Sequence, residues 1–237
     1  MLKDLFQRLL IISPHADDEI LGCGGLMARV LAEVPEAHVR VIVMGTGTVK
    51  NCGTGHQVKR RERERELARA IGVLSQSAKH GSCIDHFILY PGMELQLDRV
   101  GKYKIVDDLD HIFADFRPTA ALVCYESHHQ DHQITADAAI AAMRPYPSNR
   151  IPFRGLYEYG YLQAWPAPNQ LPQYKLYINI SEYLQLKLTA FQAYESQQRP
   201  NPADLRSLES IEAFARARGL EAGFTYAEAF WPLSITL

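Results

Sequence analysis

Short apolar runs separated by longer stretches of mixed character set the rhythm of this chain. Leu9-Leu10-Ile11-Ile12-Ser13 is the first run, and similar runs cover residues 38–44, 84–90 and 119–125. Helix-like stretches lie between and after them, at 19–34, 57–74, 106–116 and 131–143. A short apolar run bounded by turn residues predicts a buried strand. Strands alternating with helices predict an α/β fold, with a mostly parallel sheet flanked by helices on both faces. Two further strands are expected at 155–162 and 175–180, with a proline loop, Trp165-Pro166-Ala167-Pro168-Asn169, between them. Two helices follow. Ser181 is placed to cap the first, whose apolar face is Leu184, Leu188, Ala190, Phe191 and Tyr194. The second is expected over about 205–218, with Leu208, Ile211, Phe214 and Ala215 facing inward and Gly219 ending it. Arg199-Pro200-Asn201-Pro202 reads as a connector, so residues 1–237 are expected to form a single domain.

Composition narrows the classes. The 237 residues are 47% hydrophobic and 22% charged, which describes an ordinary globular protein with room for a large core. A net charge of -2 gives no pull toward nucleic acid. No apolar stretch has the length of a transmembrane segment. Met1-Leu2-Lys3-Asp4 leads straight into the first strand, without the features of a signal peptide. Cys23, Cys52, Cys83 and Cys124 form no CxxC pair and read as free, mostly buried thiols. The expected setting is cytoplasmic, and a homo-oligomer is left open.

The chemistry concentrates in two clusters, each just beyond a strand. His15-Ala16-Asp17-Asp18 follows the first strand, and His128-His129-Gln130-Asp131-His132 follows the strand ending near Tyr125. Alone, the first is ordinarily a helix N-cap with acids that suit the helix dipole, and the second is ordinarily a polar loop. Together, at strand ends of one parallel sheet, they supply a metal site and a base. His15, Asp18 and His132 give two imidazoles and a carboxylate, which suits Zn²⁺ with an open position for water. Mn²⁺, Fe²⁺ and Co²⁺ accept the same donors. Asp17 is then free to take a proton from water. His129 is placed to stabilise an oxyanion or to protonate a leaving amine, and Asp131 to orient one of the imidazoles. An acid beside His129 predicts a charged imidazolium there. His128 is expected to be merely exposed.

Pro14-His15-Ala16-Asp17-Asp18-Glu19 resembles the (A/P)HxDDE signature of the PIG-L/LmbE-like zinc de-N-acetylases, and His129-Gln130-Asp131-His132 resembles that family's HxDH motif. Ile178-Asn179-Ile180-Ser181 with Lys187, Ala190 and Ala193-Tyr194-Glu195-Ser196-Gln197 is similar to its "DIS…K…A…Y.SQ" stretch. Ala217-Arg218-Gly219 with Tyr226-Ala227-Glu228-Ala229-Phe230 is similar to its closing "RG…G…YAE.F" stretch. The resemblance implies a Rossmann-like fold and hydrolysis of an N-acetyl group, typically on a glucosamine unit. It implies His15, Asp18 and His132 as zinc ligands, Asp17 as general base and His129 as the electrostatic or general-acid histidine. It also implies a sugar-binding arginine in the run Lys59-Arg60-Arg61-Glu62-Arg63-Glu64-Arg65, where Arg60 fits the spacing best. The remaining charges of that run read as a solvated helix face. Two departures touch the substrate side. Tyr90-Pro91-Gly92-Met93 stands where relatives carry Phe-Pro-Asp-Gly, leaving Glu94 or Asp98 to replace the missing acid, and Asn179 stands where many have Asp.

The expected substrate is therefore a small N-acetylated sugar or glycoconjugate. The same site would also serve an amidase acting on another small conjugate. A nucleotide-binding protein without hydrolysis is the reading from a different class. Its only support is Gly22-Cys23-Gly24-Gly25, which lacks GxGxxG spacing. Tyr157, Tyr159, Tyr161 and Trp165 are either sugar-facing aromatics or ordinary strand residues.

Overall fold

A computed structural model describes residues 2–50, 55–125, 127–146, 150–158 and 174–236. Its centre is a seven-stranded sheet in the order β5-β2-β1-β6-β7-β9-β8. The strands are β1 (Arg8–Ser13), β2 (His38–Thr46), β5 (Cys83–Pro91), β6 (Ala120–Cys124), β7 (Phe153–Tyr157), β8 (Leu176–Asn179) and β9 (Ala227–Ile235). Short β3 (Val49–Lys50) and β4 (Gln57–Val58) pair separately as an antiparallel ladder. The helices are α1 (Leu2–Phe6), α2 (Asp18–Glu33), α3 (Arg60–Ser75), α4 (Lys102–Phe116), α5 (Gln130–Ala142), α6 (Leu184–Gln192) and α7 (Leu208–Ala222).

β5, β2, β1, β6 and β7 run parallel. β9 is antiparallel to both β7 and β8. From β1 the chain crosses by α2 to β2 on one side, while β6 lies against β1 on the other. Such crossovers are right-handed, so α2 and α3 cover one face and α4 and α5 the other. In agreement, α2, α3 and α6 contact one another, and α4 contacts α5. Every residue of β1 from Leu9 to Ser13 and all of β6 are buried, as expected of strands covered on both faces. The crevice between the carboxyl ends of β1 and β6 is the topological switch point, where open α/β sheets bind ligands.

Several boundaries differ from the sequence expectations. Ser181 does not cap α6, whose N-cap is Tyr183. Its hydroxyl instead donates to Asn179 Oδ1 at 2.7 Å and accepts the Tyr226 N–H at 3.1 Å, tying the end of β8 to the start of β9. Helix α7 starts after Ser207, whose side chain accepts the Ser210 N–H, and it ends at Gly223 with φ 76°. Gly219 lies inside α7, where a Cβ would stand 2.6 Å from the Thr225 carbonyl oxygen, so its smallness serves close packing. The strand expected at 155–162 is β7, and residues 159–162, with Tyr159 and Tyr161, lie outside the described residues, as do Trp165 and its proline loop. Tyr157 is a core residue that donates to the Ile12 carbonyl at 3.2 Å. Cys23 and Cys124 are buried free thiols and Cys83 is exposed; Cys52 lies outside the described residues. Among the described residues no helix is long and apolar enough to cross a membrane.

Candidate functional site

The turn after β1 delivers the first cluster. Asp17 caps α2 with φ 135°, a conformation that is costly for a residue with a side chain. Local bonds sustain it. The Asp17 N–H donates to Glu19 Oε2 at 3.0 Å, and the Asp17 carbonyl accepts the N–H groups of Ile20 and Leu21. Asp18 and Glu19 then occupy the first turn of α2, where carboxylates suit the helix dipole. Glu19 also accepts the Tyr194 hydroxyl. Burial nevertheless pushes Glu19 up to about 7.

The turn after β6 delivers the second cluster. His129 caps α5, its Nδ1 accepting the Asp131 N–H at 3.2 Å. A neutral His129 therefore carries its proton on Nε2. His15, His129 and His132 meet across the strand switch, with ring centroids 4.9–5.2 Å apart, and one nitrogen from each lies within 4.8 Å of the others. Asp18 stands between two of them. Its Oδ2 is 3.5 Å from His15 Nδ1 and 3.2 Å from His132 Nε2. Asp131 holds the far side of the His15 ring, with Oδ2 2.9 Å from Nε2, and also accepts the N–H groups of Leu95 at 2.6 Å and Leu97 at 3.1 Å.

These positions fit a divalent ion. Around a tetrahedral zinc with bonds of about 2.0–2.1 Å, neighbouring ligand atoms lie about 3.3–3.5 Å apart, close to the Asp18 separations. Asp18 Oδ1 is buried without a hydrogen-bond partner among the described residues. Burial opposes a charge on His15, but its bonds to Asp131 and Asp18 outweigh burial and push it up to about 10. The cluster thus holds a positive charge on His15, where a metal would supply one. Asp18 is held well below its ordinary range despite burial, with His132 and His15 as the cause. His129 goes the other way. Burial, then His15 and His132, push it down to about 4, so it is neutral at neutral pH. The imidazolium expected from Asp131 does not form, because burial and the neighbouring His15 and His132 outweigh the pull of the Asp131 carboxylate.

Asp17 lies fully buried between two arginines, 3.9 Å from Arg63 Nη2 and 3.3 Å from Arg206 Nε. Sequence spacing favoured Arg60. The structure leaves Arg60 half-exposed at the start of α3, paired with Glu64 at 3.3 Å, and brings Arg63 inward with 2% exposure. Arg63 Nη2 also lies 3.4 Å from Glu94, which accepts the Gly47 N–H at 2.8 Å. Glu94 therefore brings an acid into the site region, whereas Asp98 belongs to the short helical turn Leu97–Arg99. Helical periodicity would have favoured Arg63, since Leu67, Ala70 and Leu74 continue its buried face. Nothing local in the sequence marks Arg206, which arrives from the connector before α7.

The downstream motifs brace this site. Lys187 Nζ donates to the Leu21 carbonyl and to Glu228 Oε1, both at 2.7 Å. Glu228 accepts the N–H groups of Gly25 at 2.8 Å and Leu26 at 2.7 Å, so an ion pair from α6 and β9 is bonded into the backbone of α2. The glycines of α2 serve packing. A Cβ at Gly22 would stand 2.2 Å from the Tyr157 ring, and one at Gly25 would stand 2.6 Å from Ile180. That use removes the support for a dinucleotide loop. Ser196 is bound by Glu66 through both its N–H and its hydroxyl, each at 2.7 Å.

Comparison with known proteins extends this picture. The protein-family model for GlcNAc-PI de-N-acetylase (PIG-L) matches residues 10–143, which include both clusters. A conserved protein of Thermus thermophilus, TT1542, superposes with a TM-score of 0.71 at 24% identity, covering 97% of this chain and 96% of that one. The zinc-inhibited form of teicoplanin deacetylase Orf2 gives 0.72 at 22% identity, covering 95% and 97%. The N,N'-diacetylchitobiose deacetylase of Pyrococcus horikoshii gives 0.71 at 21%, covering 98% and 87%. At these identities the structural likeness speaks for the fold.

Proposed function

The chain belongs to the GlcNAc-PI de-N-acetylase (PIG-L) family, and on that footing we propose that it is a metal-dependent hydrolase removing the N-acetyl group from an amino sugar or sugar conjugate. The observation that carries this reading is the buried triangle of His15 Nδ1, Asp18 Oδ2 and His132 Nε2, with the carboxylate of Asp17 next in the chain. These three residues are the proposed ligands. Zinc suits two imidazoles and a carboxylate, and Mn²⁺, Fe²⁺ and Co²⁺ are the other candidates. When bound, the ion supplies a Lewis acid and lowers the pKa of water.

The chain's own groups do the rest. Asp17 takes a proton from the attacking water as its oxygen bonds to the acetyl carbon. His129, neutral and protonated on Nε2, donates a hydrogen bond to the carbonyl oxygen as negative charge gathers there. The proton held by Asp17 passes to the nitrogen as the C–N bond breaks, releasing the amine and acetic acid, which gives up its remaining proton to become acetate. Arg63 and Arg206 set two positive charges beside the Asp17 carboxylate. Asp131 fixes the His15 ring by binding its outer nitrogen, as carboxylates do behind metal-binding histidines. Arg63 takes the sugar-binding role that spacing gave to Arg60. Its Nε and Nη1 are buried without hydrogen-bond partners among the described residues, which leaves donors for a substrate hydroxyl.

The proposed unit is a single domain over residues 1–237. A cytoplasmic setting is in keeping with the buried free thiols Cys23 and Cys124.

A panel of N-acetylated sugars and conjugates, with fluorescent detection of the free amine, tests the reading. Amine release should stop when a chelator strips the metal and resume when metal returns. A metal-loaded protein that leaves every N-acetyl group intact would overturn it.

A further inference from the structure

The carboxylate of Asp17 is aimed without help from its own oxygens. Both Oδ1 and Oδ2 are buried and accept no hydrogen bond among the described residues. Arg206 Nε and Arg63 Nη2, at 3.3 and 3.9 Å, bring charge near but lack hydrogen-bond geometry. The direction of the carboxylate therefore comes from the backbone. At Asp17 that backbone has φ 135° and ψ -32°, outside the regions that a residue with a side chain ordinarily adopts. Such a conformation persists only where its surroundings over-determine it.

Glu19 holds it from the amino side. One carboxylate oxygen, Oε2, accepts the Asp17 N–H at 3.0 Å, and the other, Oε1, accepts the hydroxyl of Tyr194. Both side chains are fully buried. Tyr194 comes from the turn after α6, 175 positions beyond Glu19, and is itself anchored. Its N–H donates to the Phe191 carbonyl at 2.9 Å, and its carbonyl accepts the N–H groups of Gln197 at 2.9 Å and Gln198 at 3.2 Å. Its ring packs 6.3 Å from that of Phe191. An acid in the first turn of a helix can cap the preceding N–H with no partner beyond that helix. Here a distant tyrosine grips the second oxygen, and so fixes the carboxylate that fixes the Asp17 backbone.

We propose that Glu19 and Tyr194 are positioning residues for the reaction. The Tyr194 hydroxyl orients the Glu19 carboxylate, and that carboxylate holds Asp17 in the strained conformation from which it meets the attacking water. This rests on the reading of Asp17 as the base of a deacetylase. Each of the two residues acts through Asp17. A reacting group displaced by about 1 Å can cost on the order of a hundredfold in rate, so the loss of one distant hydroxyl is felt at the base.

The test measures hydrolysis of an N-acetylated sugar by the metal-loaded wild type, Tyr194→Phe, Asp17→Asn and the double variant. Tyr194→Phe should lower kcat by roughly ten- to a hundredfold, with KM within about twofold and metal content unchanged. In the Asp17→Asn background the same substitution should cost less than about twofold more, because residues that act as one unit are not additive. A residue that only supports the fold would cost the same factor in both backgrounds, and that result would overturn the proposal. So would a kcat for Tyr194→Phe within about twofold of wild type. Glu19→Gln keeps an acceptor for the Asp17 N–H and should retain more turnover than Glu19→Ala; equal losses would also overturn it. Wild-type turnover in Asp17→Asn would sink the base reading, and the positioning role with it. Hydrogen exchange separates these failures from failure of the deacetylase reading. Should no sugar be hydrolysed, that reading falls. Exchange of the Asp17 amide roughly tenfold faster in Tyr194→Phe, with the amides of β1 unchanged, would still uphold the hold on Asp17, and unchanged protection would reject it.

Discussion

Asp131 Oδ2 lies 2.9 Å from His15 Nε2 and 2.6 Å from the Leu95 nitrogen, so one carboxylate fixes both the ring of a proposed metal ligand and the loop beside it. Leu95 is itself in the left-handed region, with φ 67°. Replacing Asp131 with Ala should weaken metal affinity by about 10–100-fold, the usual cost of losing such a partner. Competition with a fluorescent chelator measures this. An unchanged affinity would mean that the His15 ring is held by packing alone.

Asp17→Asn tests the base. Metal content should stay at the wild-type level, because Asp17 is not among the proposed ligands. Turnover should fall by roughly two to four orders of magnitude. Activity within about threefold of wild type would reduce Asp17 to a helix cap.

Glycines of two helices should respond to alanine with opposite signs. At Gly22 the new Cβ collides with the Tyr157 ring and lies 3.0 Å from the Glu158 carbonyl oxygen, so Gly22→Ala should cost about 1–3 kcal/mol. At Gly72, in α3, nothing lies within 4 Å, and Gly72→Ala should stabilise by roughly 0.5–1 kcal/mol. Urea unfolding of both variants distinguishes the signs.

Lys187→Met removes the cation that faces Glu228 in the interior. The carboxylate would remain buried against the Gly25 and Leu26 N–H groups, at a cost of about 3–5 kcal/mol. Glu228→Gln, which keeps an acceptor for those groups, should cost less than Glu228→Ala. Equal losses would show that the charge matters more than the backbone bonds.

At the opposite edge of the sheet, Asp85 accepts from Arg40 at 2.9 Å and lies 2.8 Å from His38 Nε2. Burial would raise it, but those partners hold it below its ordinary value. A carboxylate depressed in the folded state stabilises above its unfolded pKa of about 3.9, and that help is lost as pH falls through the folded value. Asp85→Asn should therefore lower Tm at pH 7 by about 2–4 °C at most, given the exposure of the pair. The gap to wild type should close as pH drops below about 4. A gap that persists at pH 3 would show that the aspartate shape, and not its charge, is what matters.

The parallel half of the sheet was legible because its strands are buried on both faces and read as unbroken apolar runs. β9 was not read as a strand. It contains Pro232, which lacks an N–H and falls where the register against β7 shifts between Arg154 and Gly155. The close of α7 was misplaced because two glycines follow its apolar face, and only Gly223 has the positive φ that ends a helix. In the site, both clusters were legible from their place after strands. Arg63 was passed over for Arg60 because a run of charges does not show locally which member turns inward. The charge state expected of His129 failed for another reason. Neighbours in sequence do not reveal that folding buries His129 and sets it beside the ring of His15, from a distant part of the chain.

That separation bears on how the chain is held together. His15 lies in the turn after β1 and Asp18 opens α2, whereas His132 lies in the first turn of α5, beyond β6. An ion held by all of them would staple together the two ends of a loop of on the order of 100 residues, much as a disulfide does, and removing it would return about 4–5 kcal/mol of freedom to the unfolded chain. Metal would then act as a reversible seam between the early and late parts of the polypeptide. A nascent chain could not close that seam until α5 had emerged.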